Sequence, residues 1–146
     1  MRVPPGGGDA EVIETRPLHF PNGLAIASDE AVYLLESFTP RLSVLRDGRL
    51  ETIVDLPGTV PDGVALLAGG GFVIACYYPF WILHVSTAGD VETMLDDKAG
   101  IYFPMPTNVS FFGPELKSMA IAMLGGWSIR AIDLPVAGVP LTYPEL

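Results

Sequence analysis

Two tripeptides carry the side chains best suited to chemistry, Pro21-Asn22-Gly23 and Pro61-Asp62-Gly63, and Pro106-Thr107-Asn108 is a looser relative. Each runs into a largely apolar triplet: Leu24-Ala25-Ile26, Val64-Ala65-Leu66 and Val109-Ser110-Phe111. An Asn amide oxygen and an Asp carboxylate at matching places are hard oxygen donors, the type that calcium or magnesium selects. Thr107 holds the third equivalent place, with Asn108 beside it. The proline stiffens the approach, and the glycine permits an unusual φ or a close approach of backbone to a ligand. A plainer interpretation stands beside this one. Pro-Asn-Gly and Pro-Asp-Gly are ordinary turn sequences in which Asn and Asp bond their own backbone. Taken singly, each reads first as a turn; recurrence at one register favours ligation.

The other reactive side chains narrow the choice of chemistry. Cys76 is the only cysteine, so an intrachain disulfide and a thiolate metal cluster are both excluded. It lies in an apolar run, where a free thiol behaves as a small hydrophobe. His19 and His84 cannot by themselves make a zinc site. His84 sits in a strand-like run and reads as structural, whereas His19 precedes the first tripeptide and is a candidate for the mouth of a site. Ser28, Ser37, Ser43 and Ser110 lack the Gly-X-Ser-X-Gly context of a serine hydrolase. Glu36 either supports the site from behind or is solvated. The Gly69-Gly70-Gly71 and Gly125-Gly126 runs read as hairpin glycines, since neither is followed by the helix that a phosphate loop needs. Asp96-Asp97-Lys98 reads as an exposed turn.

Charge and hydropathy exclude further classes. Lys and Arg total 8 against 17 Asp and Glu, a formal net charge of −9, which argues against a nucleic-acid surface. Residues 64–85 contain no Lys, Arg, Asp or Glu and are long enough to cross a bilayer. Glycines near the start, Pro79 near the end and β-branched and aromatic residues between them favour strands instead, so no membrane partner is expected. The first residues lack a signal-type apolar stretch, which gives a cytoplasmic expectation.

What positions the tripeptides is a repeat. Pro21 and Pro61 are 40 residues apart and Pro61 and Pro106 are 45 apart. After each, a second apolar run follows: 31–37, 72–78 and 118–124. A third run follows at 41–45, 81–85 and 126–132, and a fourth at 50–56 and 91–95. Asp47-Gly48 and Ala88-Gly89 fall between the third and fourth runs, where a tight hairpin is wanted. Four short strands per unit at this period predict the blades of a β-propeller. The chain then divides into a partial blade at 1–16 and blades at 21–60, 61–105 and 106–146. In the partial blade, 1–3 and 10–15 read as third and fourth strands around a Pro-Gly turn. The last blade lacks a clear fourth strand, for which 139–143 is a poor candidate. The expected fold class is all-β: about three to three and a half blades of a propeller.

The segments FPNGLAIASDEAVYLLES (20–37), VPDGVALLAGGGFVIACY (60–77) and PTNVSFFGPELKSMAIAML (106–124) resemble the senescence marker protein/gluconolactonase/luciferin-regenerating family. The intervening Phe112–Leu116 and Asp133–Pro135 turns fit as well, and the resemblance covers the C-terminal half of that family's six-bladed propeller. It implies one divalent metal on the propeller axis, calcium first, with zinc or magnesium as the other choices. Asn22 and Asp62 match the family's metal ligands, and Asp62 also matches a residue proposed as general base in lactone opening. The implied function is metal-dependent hydrolysis of a lactone or related ester, a small-molecule substrate. The family's remaining site residues, a Glu and a further Asn, have no counterpart here, so the isolated chain is expected to be inactive or incomplete. A homodimer closing the ring is one remedy. The alternative is a non-catalytic propeller fragment serving as a binding or scaffold module, like strictosidine-synthase-like propellers.

Overall fold

The computed structural model describes residues 1–4 and 6–141. It is all-β, with no helix among the described residues, and it forms three antiparallel sheets. The first runs in order β1 (Pro21–Ile26), β2 (Val32–Glu36), β3 (Arg41–Arg46) and β4 (Arg49–Asp55). The second runs β5 (Val60–Leu66), β6 (Phe72–Tyr78), β7 (Trp81–Val85) and β8 (Val91–Asp96). The third holds β9 (Pro106–Phe112), β10 (Ser118–Met123) and β11 (Arg130–Asp133). Each sheet is an up-and-down meander, so every strand pairs with its sequence neighbour. Local chemistry sets the turns. Asp47 and Gly48 both have positive φ, 51° and 73°, the pair of conformations that a two-residue hairpin between twisted strands requires. In the second sheet, Ser86 Oγ accepts the Ala88 and Asp90 N–H groups at 3.2 and 3.0 Å and shapes the corresponding turn.

The first strands β1, β5 and β9 lie side by side, and the second sheet is packed between the other two. Alternation along β6 shows why. Phe72, Ile74 and Cys76 point into a core shared with Leu35, Leu42 and Leu56 of the first sheet. Val73 and Ala75 point the other way, into a core shared with Val109, Met119 and Ile121 of the third. Both faces of β6 are buried over Phe72–Cys76, so this strand is apolar at every one of those positions rather than at alternate ones. The uncharged stretch at 64–85 is therefore strand rather than membrane helix. Each large apolar side chain so buried contributes about 1.5–3 kcal/mol, and this stacking of sheets face to face is a partial β-propeller.

Both ends depart from the strand pattern expected of them. Near the N-terminus there is one antiparallel bridge, Arg2 to Glu11, with N–H···O distances of 2.8 and 2.7 Å. A side-chain ion pair at 3.1 Å accompanies it. Among the described residues this hairpin has no further strand to pair with, so no extended strands form. In the third sheet, β11 starts at Arg130 instead of residue 126, leaving Trp127 fully exposed before it. The described part of the run at 139–143, residues 139–141, does not extend that sheet. Val139 N–H instead donates to Leu66 O at 2.9 Å, and Gly138 bridges Leu67. Residues 142–146 lie outside the described residues.

Candidate metal centre

The three tripeptides are not turns: each lies inside the first strand of its sheet. Each also breaks the pairing at the same place. In β1 the register passes from Pro21↔Glu36 to Leu24↔Leu34, leaving Asn22 and Gly23 outside the ladder. In β5 it passes from Pro61↔Cys76 to Gly63↔Ala75, leaving Asp62 out. In β9 it passes from Pro106↔Met123 to Asn108↔Ala122, leaving Thr107 out. A bulge bends its strand and re-aims the side chain it frees. The irregularity at each tripeptide thus presents Asn22, Asp62 and Thr107 from adjacent strands.

The glycines after Asn22 and Asp62 serve this juxtaposition. Neither has positive φ, so unusual backbone is not their role. A Cβ on Gly23 would overlap the carbonyl oxygen of Asp62. One on Gly63 would lie 2.5 Å from Asn108 Oδ1 and 2.7 Å from Thr107 O. The close approach is to the neighbouring strand, not to a ligand. Strain accompanies it on two of the three approaches. Phe20 and Met105, each directly before the tripeptide's proline, have φ of 61° and 54°. Left-handed backbone at a non-glycine residue costs about 1–3 kcal/mol. It is held here by Ser37 N–H donating to Phe20 O at 3.0 Å and Leu124 N–H donating to Met105 O at 2.9 Å.

Asn22 and Asp62 come together. The Asp62 carboxyl has a raised pKa because it is partly buried, and a hydrogen bond from the Asn22 side chain offsets part of that rise. Among the described residues no ion pair involves Asp62. A half-buried carboxylate without a cationic partner, next to an amide, is a donor set suited to a divalent cation. The fit is partial, because calcium takes about 6–8 oxygens. No cluster of three or more His, Cys, Asp or Glu that could hold a metal occurs among the described residues. Thr107 lines up with them but turns its hydroxyl to Ala122 O, at 3.4 Å.

Behind the donors stands a buried polar layer. Glu36 is fully buried rather than solvated, and accepts from Arg41 Nε at 2.5 Å and from the His19 N–H at 2.7 Å. Burial works to raise its pKa, but these hydrogen bonds outweigh it and hold the carboxyl below its usual range. The pair fixes the loop that leads into Asn22. Ser37, equally buried, donates its hydroxyl to Pro61 O at 2.7 Å and receives Asn22 Nδ2 at 3.4 Å. Nothing in the pattern of serines had marked it, because its role depends on the neighbouring sheet. His19 does reach this end of the strands, but its Nδ1 is engaged by Thr39 Oγ1 at 2.9 Å. His84 is half-buried in β7, 4.0 Å from Glu92. Burial, opposed by a Thr59 hydrogen bond and helped by the Asp62 charge, pushes the Cys76 thiol up to about 12. It is no nucleophile.

Asp97 corrects the expectation of an exposed turn. It is buried and accepts the N–H groups of Ile101, Tyr102 and Phe103 at 3.1, 2.7 and 2.5 Å, organising the loop that leads to β9. Further along the first strands is a cavity of about 480 Å³ with Leu24, Ile26, Leu66 and Phe111 in its wall. It is largely apolar, and neither Asn22 nor Asp62 lines it.

No protein-family model matches the chain, and no curated protein does. Solved structures do. A gluconolactonase from Xanthomonas campestris is 20% identical with a TM-score of 0.70, over 90% of this chain and 43% of that one. Regucalcin, a calcium-binding protein from Agrobacterium tumefaciens, is 18% identical with a TM-score of 0.59, over 71% of this chain and 38% of that one. Virginiamycin B lyase from Staphylococcus aureus is 16% identical with a TM-score of 0.63, over 91% and 47%. The first two belong with the proteins that the sequence resembles. At these identities the likeness establishes the fold, which here is shared by a lactonase and a lyase. The chain spans less than half the length of each of these three.

Proposed function

We propose that this chain forms part of a metal-dependent hydrolase of lactones or related esters, with Asn22 and Asp62 holding the cation, calcium before zinc or magnesium. One observation carries the proposal. Two oxygen donors 40 residues apart in sequence meet at matching bulges of adjacent strands, and the carboxylate has no cationic partner there. The gluconolactonase and regucalcin neighbours support the reaction class and the choice of calcium.

When bound, the cation supplies Lewis acidity toward a carbonyl oxygen. The chain's own residues do the rest. Asn22 contributes a neutral oxygen and Asp62 a charged one. Asp62 is also the one carboxylate of the pair able to accept a proton from an attacking water, but a carboxylate bonded to a cation is a weak base. Its role as ligand therefore ranks before its role as catalyst. The buried Glu36–Arg41 pair keeps the leading loop in place, and Cys76 stays protonated beside the site without competing for the substrate.

The three sheets among the described residues fall short of the four to eight that close a propeller. We place a second copy of the chain opposite the first, completing six blades, and expect little activity from a lone copy. Titration with calcium against thermal unfolding tests the metal. A ligand held by the folded state stabilises it by about 2.7 kcal/mol at a hundred times its Kd, and Asn22→Ala or Asp62→Ala should abolish that rise. A well-folded wild type that ignores calcium and zinc alike would instead support a scaffold module. The paucity of acidic ligands among the described residues is what keeps that second reading in view.

A further inference from the structure

The Ser37 hydroxyl has one proton, and the Pro61 carbonyl oxygen, 2.7 Å away in a buried setting, takes it. Toward Asn22, 3.4 Å away, Ser37 Oγ can then only accept. That decides which end of the amide faces it: the NH2 group. Oδ1 is left as the side-chain polar atom of Asn22 without a hydrogen-bond partner among the described residues. The same residue ties down the loop ahead of Asn22, since its N–H donates to Phe20 O at 3.0 Å. Its hydroxyl meets the peptide that leads into Asp62. Ser37 thus touches both strands that carry the donors.

We propose that Ser37 is a positioning residue for cation binding: it turns the Asn22 amide so that Oδ1 faces the ion, and it fixes β1 against the start of β5. This rests on the reading of Asn22 and Asp62 as ligands. Outer partners that orient metal ligands are worth about 10- to 100-fold in affinity.

The test compares wild type, Ser37→Ala and Ser37→Thr, the last of which keeps the hydroxyl. Calcium chloride alone is titrated by calorimetry, and the Asn22 side-chain amide is followed by 15N NMR without calcium. The expected result is calcium affinity about 10- to 100-fold weaker in Ser37→Ala and restored to within a few-fold of wild type in Ser37→Thr. In the metal-free spectra, Ser37→Ala should shift the two Nδ2 protons and raise their exchange with water. A purely structural role would lower the unfolding temperature of Ser37→Ala and leave its calcium affinity alone, which overturns the proposal. A wild type that does not bind calcium overturns the ligand assignment and the affinity role of Ser37 together. An Asn22 amide unmoved in Ser37→Ala overturns the orienting contact itself, whether or not calcium binds.

Discussion

Asp62 and Asp97 are both acids removed from water, yet their surroundings treat their charge in opposite ways. Burial raises the Asp62 pKa, and one amide only partly answers it. Folding therefore favours its protonated form, a contribution present below the unfolded pKa and lost as pH rises through the folded one. Asp62→Asn should accordingly raise the metal-free unfolding temperature at pH 7 and change it little near pH 3. A lower unfolding temperature at pH 7 would contradict the account of an uncompensated carboxylate. Asp97 is also pushed upward by burial, but three backbone N–H groups outweigh this and depress its pKa. Its stabilisation is present above the unfolded value and disappears as pH falls through the folded one. Asp97→Ala strands those N–H groups and should cost about 1–3 kcal/mol at pH 7. The gap from wild type should narrow in denaturant melts as the pH is lowered below about 4; a gap that stays constant would locate the effect in packing rather than charge.

At the level of strands, the recurring bulge is the device that makes the site. It was legible in the sequence only as a recurring tripeptide. A turn and a bulge demand similar residues, and what separates them is the pairing partner some fifteen residues on, Glu36, Cys76 or Met123. The close packing of first strands leads to a specific expectation. Gly63→Ala must displace the Thr107-Asn108 backbone and should destabilise by about 1–3 kcal/mol, the range for overpacking. Gly69→Ala, with open space around it and no positive φ, should be near neutral. Equal denaturation midpoints for the two variants would refute the role given to Gly63. Most strand positions followed from the spacing of apolar runs. β11 did not, because Gly125 and Gly126 pack against Pro104 and the chain rejoins the sheet only at Arg130.

For the whole molecule, the question is what closes the ring. The middle sheet is covered on both faces by its neighbours, as a blade inside a propeller is. The third sheet has β11 as its edge, and Leu24 and Ile26 of the first strand are 64% and 61% exposed beside the apolar cavity. If a second copy completes the ring, size-exclusion chromatography with light scattering should return twice the monomer mass. A monodisperse monomer at micromolar concentration would exclude the closed dimer and leave the metal prediction untouched, since Asn22 and Asp62 meet within one chain.

From the sequence by itself came the fold class, the repeat and the choice of Asn22 and Asp62. Those follow from short-range physics: strand periodicity, turn chemistry at Asp47-Gly48, and the hard-oxygen character of two side chains. The tertiary structure decided what depends on contacts across the stack of sheets. It turned Asp97 from an expected surface charge into a buried anchor, decided for Glu36 between a buried support and a solvated charge, gave Ser37 partners in two strands, and made the glycines spacers between backbones. Such roles belong to pairs of residues far apart in the chain, and no local pattern encodes which distant carbonyl or amide will stand opposite.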